Sequence, residues 1–343
     1  MATASVNDTF LDLIQNSTGA IMLNRFLRKS SFLNIKGTSI AVALITASII
    51  FACSGSIVGI SNKLFVRVDT FYGVEVGNDA NVSRIISVLQ DLKIGTVRLW
   101  ANVNWNERRE PSSGVFNRAR QLKQAGFRVI VLFQNREIPS STTEVKAYFD
   151  WVQTLPGIRE SIDVWEILNE LESRKYWLGT ADQYVQLVLK PAWDSLHTQR
   201  EKVLGGSFSA WQETGWNTNV TQEYLAAGYL NYVDYAGSHP YTFTVDQMRR
   251  HLNEVRQLYG AKPIIITEWN FLPQTRADHG RDYQKWRQML DEVLPYVKSQ
   301  ALTVCYFRLH RLQSEGGWPG LIDYENHSIT PFYEMYRSWT RST

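Results

Sequence analysis

Cysteine is nearly missing from this chain: Cys53 and Cys305 are the only two in 343 residues. A disulfide framework is excluded, and no C-x-x-C pair or His/Cys cluster points to zinc. Phosphate-binding glycine runs are missing too. Neither G-x-G-x-x-G nor a P-loop follows any apolar stretch, which argues against a doubly wound nucleotide-binding sheet. Excess charge of one sign is also lacking. With 36 basic and 33 acidic residues the net charge is +3, whereas a dedicated nucleic-acid binder should carry a basic patch. No linker or low-complexity segment interrupts the chain after residue 65, so a single domain is expected there.

The N-terminal region stands apart. Residues 37–60 (GTSIAVALITASIIFACSGSIVGI) hold no charged side chain, and roughly 20 such residues can span a bilayer. Arg25, Arg28, Lys29 and Lys36 precede the run. The positive-inside rule then leaves residues 1–36 as a basic cytoplasmic or signal n-region and exports the remainder of the chain. The expectation is a cell-envelope protein with a membrane partner, held by a signal anchor or by lipidation at Cys53. The Ile50-Phe51-Ala52-Cys53 run resembles a lipobox. A start at Met22 would leave a shorter basic n-region.

From about Phe65 onward, short apolar runs alternate with amphipathic stretches. Phe65–Val74, Thr96–Trp100, Phe127–Phe133, Ile162–Leu168, Val203–Ser207, Val233–Ser238, Pro263–Thr267 and Leu302–Phe307 read as strands. Between them, apolar residues recur at helical spacing, as in Val245, Met248, Leu252, Val255 and Leu258. Near-continuous apolar strands separated by helices imply a parallel sheet with both faces covered. Eight such units predict an α/β fold, a (β/α)8 TIM barrel over residues 65–343, behind the anchor or signal segment.

In such a barrel the reactive side chains sit at the C-terminal ends of the strands. The polar residues just past each apolar run are therefore the candidates. They are Arg98 and Trp100, Asn135, Asn169 and Glu170, His239 and Tyr241, and Glu268 with Trp269. Glu170 and Glu268 lie 98 residues apart. At about 31 residues per unit, three units need about 94, so the pair fits strands four and seven of one cavity. Two converging carboxyls suit glycosidic cleavage, one giving a proton to the leaving oxygen and one meeting the anomeric carbon ionised. Arg98 and Tyr241 could keep Glu268 ionised. Asn169 could bond the substrate hydroxyl beside the reacting carbon. Glu166 is expected to be a buried polar group that holds its neighbours. The 12 Trp and 16 Tyr suit stacking on sugar rings as well as core packing. Trp105, Trp211 and Trp216 are further platform candidates.

Trp165-Glu166-Ile167-Leu168-Asn169-Glu170, Ser238-His239-Pro240-Tyr241 and Thr267-Glu268-Trp269-Asn270 resemble, in that order, motifs of clan A glycoside hydrolases. Within the clan they look most like the family-39 type of β-xylosidases and α-iduronidases. The resemblance implies Glu170 as acid/base, Glu268 as nucleophile, retention of anomeric configuration and a carbohydrate substrate. It also implies His239 and Tyr241 as orienting residues, and no metal or organic cofactor. Clan members often end strand eight in a Trp; here Tyr306-Phe307-Arg308 stands instead. Phe307, or Trp318 in a Gly-Gly-Trp-Pro-Gly loop, could floor the sugar site. Arg308, His310 and Arg311 read as an ordinary solvated loop, or else as a rim favouring an acidic sugar.

Overall fold

Alternation of the two hydrophobic periods carries directly into the architecture. The computed structural model describes residues 69–77, 81–210, 218–272, 283–311, 320–323 and 328–342. The apolar segment at 37–60, Cys53, Trp211, Trp216 and Trp318 lie outside the described residues. Among the described residues, no helix is long and apolar enough to cross a membrane.

The strands are β1 (Tyr72–Glu75), β2 (Thr96–Asn102), β3 (Arg128–Gln134), β4 (Val164–Ile167), β5 (Val203–Gly205), β6 (Phe208–Ser209), β7 (Ala236–His239), β8 (Ile264–Trp269) and β9 (Thr303–Tyr306). All pair in parallel, in the order β5-β4-β3-β2-β1-β9-β8-β7-β6. The two outer members, β5 and β6, are consecutive pieces of one strand broken at Gly206-Ser207. A bridge from Leu204 to Tyr235 joins β5 to the chain entering β7. The order thus returns on itself, as in a TIM-like (β/α)8 fold. Two more short strands, β10 (His310–Arg311) and β11 (Ile322–Asp323), pair with each other.

Helices follow the strands: α1 (Val82–Asp91), α2 (Val115–Gln124), α3 (Thr142–Val152) and the single turn α4 (Ile158–Ser161). The next is composite, with α5 (Ala181–Gln183), a π-helical stretch (Tyr184–Leu189) and α6 (Lys190–Leu196). Then come α7 (Thr218–Ala226), α8 (Val245–Tyr259), α9 (Tyr283–Gln300) and α10 (Pro331–Arg341). Capping boxes start two of them, Thr180 with Gln183 and Thr244 with Gln247. These side chains satisfy backbone N–H groups that the first helical turn leaves unpaired.

Strand alternation sorts the core into two layers. Ile130, Val164, Leu204, Ile265 and Cys305 form a small cluster that fills the barrel interior. Residues of opposite parity, among them Val129, Val131, Phe133, Trp165 and Ile266, join the larger cluster under the helices. There the Phe133 and Trp165 rings stack at 5.2 Å. Polar groups fill the barrel above the inner cluster.

Candidate active site

β2 contributes one inward cation, Arg98, whose side chain is 1% exposed. Its Nε and Nη2 donate to Glu166 Oε2 and Oε1 at 2.6 and 3.0 Å. Nη2 also donates to Asn169 Oδ1 at 2.8 Å. Nη1 donates to Glu268 Oε1 at 2.6 Å and to Glu75 Oε2 at 3.0 Å. Three buried carboxylates thus share one guanidinium, whose rigid fork can serve several acceptors at once. Burying these charges is costly, and the ion pairs with their hydrogen bonds offset that cost.

Glu268 reaches the cavity through an irregularity in β8. Ile265 and Ile266 pair with Thr303 and Val304, but Trp269 pairs with Tyr306. Three steps along β8 thus span two along β9, a β-bulge. Thr267 and Glu268 both face the interior as a result. Thr267 Oγ1 donates to Glu166 Oε1 at 3.0 Å, and Glu268 Oε2 accepts from the Tyr241 hydroxyl at 2.7 Å. Trp269 is turned outward. It stacks on Trp339, bonds Met248 Sδ through Nε1 and is wholly buried in the helix layer. The structure therefore corrects its expected role as a substrate-facing ring.

Glu170 follows β4 across a strained turn: Leu168 and Glu170 have φ of 64° and 32°. Non-glycine residues rarely occupy this region, and such strain tends to gather at functional sites. Gln134 Oε1 accepts from the Asn169 N–H at 3.0 Å and steadies the turn. Asn169 Nδ2, although buried, has no partner among the described residues. The Glu170 carboxylate, 15% exposed, sits beside the buried His239. His239 Nδ1 lies 3.1 Å from Glu170 Oε1, and Nε2 is 2.9 Å from Thr267 Oγ1. With the Thr267 hydroxyl donating to Glu166, Nε2 must donate to Thr267. Nδ1 donates to Glu170 when that carboxylate is ionised, which makes the ring an imidazolium.

Electrostatics follow from these contacts. Burial alone would push the Glu268 carboxyl up, but His239 and Arg98 outweigh it and hold the group below the usual carboxylate range. Burial would lower His239, yet Glu268 and Glu170 beside it raise it above the ordinary histidine value. Burial and the Glu268 charge together push Glu75 up to about 7. Burial and the Glu170 charge raise Glu172 well above the carboxylate range. One oxygen each of Glu170 and Glu268 and one ring nitrogen of His239 lie within 4.8 Å of one another. Among the described residues this is the group able to offer ligand atoms to a metal ion. A cation there would face the Arg98 guanidinium already bonded to Glu268, so this donor set is poorly suited to one.

The structure thus brings Arg98, Asn169, Glu170, His239, Tyr241 and Glu268 into one cavity. Phe307 is half-buried, edge-on to Tyr241 at 5.8 Å. Trp100 is half-buried, tilted against Tyr176, with the Arg98 guanidinium 5.6 Å from its ring centre. Asn135 is spent locally, accepting from the Glu137 N–H at 2.9 Å. Trp105 is buried against Tyr148 in the core. Glu166 holds Asn169 through Arg98, as a buried polar group was expected to. Arg308 and His310 are not a solvated loop. Arg308 lies over the Phe307 ring and donates to Glu75 Oε1 at 3.4 Å, and His310 is buried. Sequence reasoning missed Glu75 and Glu172. Glu75 directly follows the first apolar run, Phe65–Val74, so the strand-end rule applied to that run would have found it.

A sequence-family model described as "Glycosyl hydrolase catalytic core" matches residues 184–336. A search of curated proteins found no match. Among solved structures, the Ignisphaera aggregans GH53 catalytic domain superposes with a TM-score of 0.59 at 16% identity, over 79% of this chain and 96% of that one. A GH128 (subgroup II) endo-β-1,3-glucanase from Pseudomonas viridiflava gives 0.56 at 17%, over 79% and 98%. A GH128 (subgroup I) endo-β-1,3-glucanase from Amycolatopsis mediterranei, in complex with laminaritriose, gives 0.51 at 16%, over 78% and 99%. At these identities the structural likeness speaks for the fold. With the family match it supports a glycoside hydrolase, and none of these neighbours is of family 39.

Proposed function

We propose that this chain is a retaining glycoside hydrolase, with Glu268 as nucleophile and Glu170 as acid/base. The observation that carries the reading is the approach of the two carboxyls, whose nearest ligand oxygens come within 4.8 Å. Retaining enzymes hold their carboxyls about 5–5.5 Å apart, whereas inverting ones leave about 6.5–9.5 Å for a water. In the first step Glu268 attacks the anomeric carbon while Glu170 protonates the departing oxygen. In the second, Glu170 takes a proton from water, which displaces Glu268 from the sugar. Arg98 and Tyr241 keep Glu268 ionised and aimed before the first step and receive its carboxylate again after the second. The unpartnered Asn169 Nδ2 is available to the hydroxyl beside the reacting carbon. His239 holds the Glu170 carboxylate in place through Nδ1.

The motif likeness to family 39 and the GH53 and GH128 fold neighbours suggest different sugars. The neighbours that are endo-β-1,3-glucanases make β-1,3-glucan the first polymer to test. Aryl glycosides and laminarin would be assayed together, followed by trapping with the matching 2-fluoro sugar. A covalent adduct on a peptide containing Glu268 is the expected result. Hydrolysis with inversion, or an adduct elsewhere, would overturn the assignment. We extend the proposal, from the apolar segment at 37–60, to an exported enzyme held at the membrane and acting on polysaccharide of its own cell. Failure of the purified domain to create new reducing ends in that polysaccharide would count against this extension.

A further inference from the structure

Double displacement by Glu170 and Glu268 leaves Glu75, a buried acid bonded to Arg98, without a task. Glu75 is the last residue of β1, in register with Arg98 on β2. Alternation turns it into the barrel, where it is 3% exposed. Its two oxygens take different cations: Oε2 accepts from Arg98 Nη1 at 3.0 Å, and Oε1 from Arg308 Nη2 at 3.4 Å. The same Arg98 nitrogen serves Glu268 at 2.6 Å. Glu75 and the proposed nucleophile are therefore joined by a single atom.

We propose that Glu75 is a positioning residue that takes up and releases a proton inside the site, and so sets how much of the Arg98 charge is left to Glu268. This rests on the hydrolase reading for its effect on catalysis. The charges facing Glu75 are Arg98 from β2, Glu166 from β4 by way of Arg98, His239 from β7, Glu268 from β8 and Arg308 beyond β9. The neutral Tyr176, Tyr241 and Cys305 are also within its field. With Glu75 protonated, Arg98 answers two carboxylates, Glu166 and Glu268. With Glu75 ionised it answers three, and Arg308 makes up only part of the difference, at a longer distance. The nucleophile then sits in a more negative field and holds a proton or a sugar more tightly. Burial and Glu268 place this change at about pH 7. Glu268 itself ionises at lower pH, where Glu75 is already neutral. The two events are therefore separated along the pH axis.

That separation shapes the test. Glu75→Gln copies the protonated form and cannot ionise. Its kcat/KM profile should coincide with that of the wild type on the acid side and part from it above about pH 7, where the wild type alone shows a further ionisation. Glu75→Asp should restore that ionisation. A packing role would displace the whole profile, acid limb included. Independently of activity, 13C spectra of glutamate-labelled protein should show one carboxyl titrating near 7 that vanishes in Glu75→Gln, and equally in Glu75→Asp, whose aspartate carries no label, if the Gln variant does not fold. Superimposable profiles, or no carboxyl titrating near 7 assignable to Glu75, would overturn the proposal. A wild type inactive on every glycoside would sink the hydrolase reading instead, while the 13C titration would still decide whether Glu75 holds the proton.

Discussion

His239 stands between the two glutamates of the site, with Nδ1 3.1 Å from Glu170 Oε1 and Nε2 3.9 Å from Glu268 Oε1. One ring thereby touches both carboxylates and ties them to Thr267. Its position explains how two acids can approach so closely without both being driven to protonate.

Replacing His239 with Asn should remove that charge. The proton affinity of Glu268 then rises, since His239 is the largest influence holding it down. The acid limb of kcat/KM should move to higher pH, and the maximum should fall by on the order of 10²-fold as Glu170 loses its anchor. A pH–rate profile of folded His239→Asn protein checks both. An unmoved acid limb would mean the ring does not govern Glu268.

Arg98→Met should damage stability before chemistry. It leaves Glu75, Glu166 and Glu268 buried without their shared cation. Orphaning a buried ion pair costs about 3–5 kcal/mol. Urea unfolding at neutral pH should show that loss, and a lower pH should recover part of it by protonating the stranded acids. Arg98→Lys restores the charge but not the fork, so it should regain stability more fully than activity. Equal midpoints for wild type and Arg98→Met would contradict the network.

His251, in α8, is buried and bonds Ser238 Oγ at 3.1 Å. Burial, then the His239 charge, lower it to about 3. An unfolded histidine takes its proton near 6.5. The unfolded chain therefore binds more protons in between, and the stabilisation present above pH 6.5 is lost as pH falls toward 3. The loss should run at about 1.4 kcal/mol per pH unit. His251→Gln should flatten that part of the stability–pH curve, read by urea midpoints. An unchanged slope would refute the linkage.

Much of the architecture was legible from hydrophobic period alone. Apolar runs such as Phe127–Phe133 and Pro263–Thr267 match β3 and β8 to within two residues. The helix marked by Val245, Met248, Leu252 and Val255 is α8, with those residues buried. Period says less about interruptions. The run Val203–Ser207 holds only β5 and the break at Gly206-Ser207, and β6 continues the strand beyond its end. The helix foreseen over Ala181–Thr198 carries a π-helical middle that no residue spacing announces.

By itself the sequence determined the order of strands and helices, the burial of their apolar faces and the placing of polar residues at strand ends. Those properties depend on side chains a few positions apart. Tertiary structure decided the rest of the site. Plain alternation from Ile265 would have sent Glu268 outward and Trp269 inward; the bulge against β9 reverses both. Likewise nothing near Glu75 in the chain reveals that Arg98 and Arg308 will hold it. Which acid is charged depends on cations brought alongside by barrel closure, because burial and Coulomb attraction act through space and not along the chain.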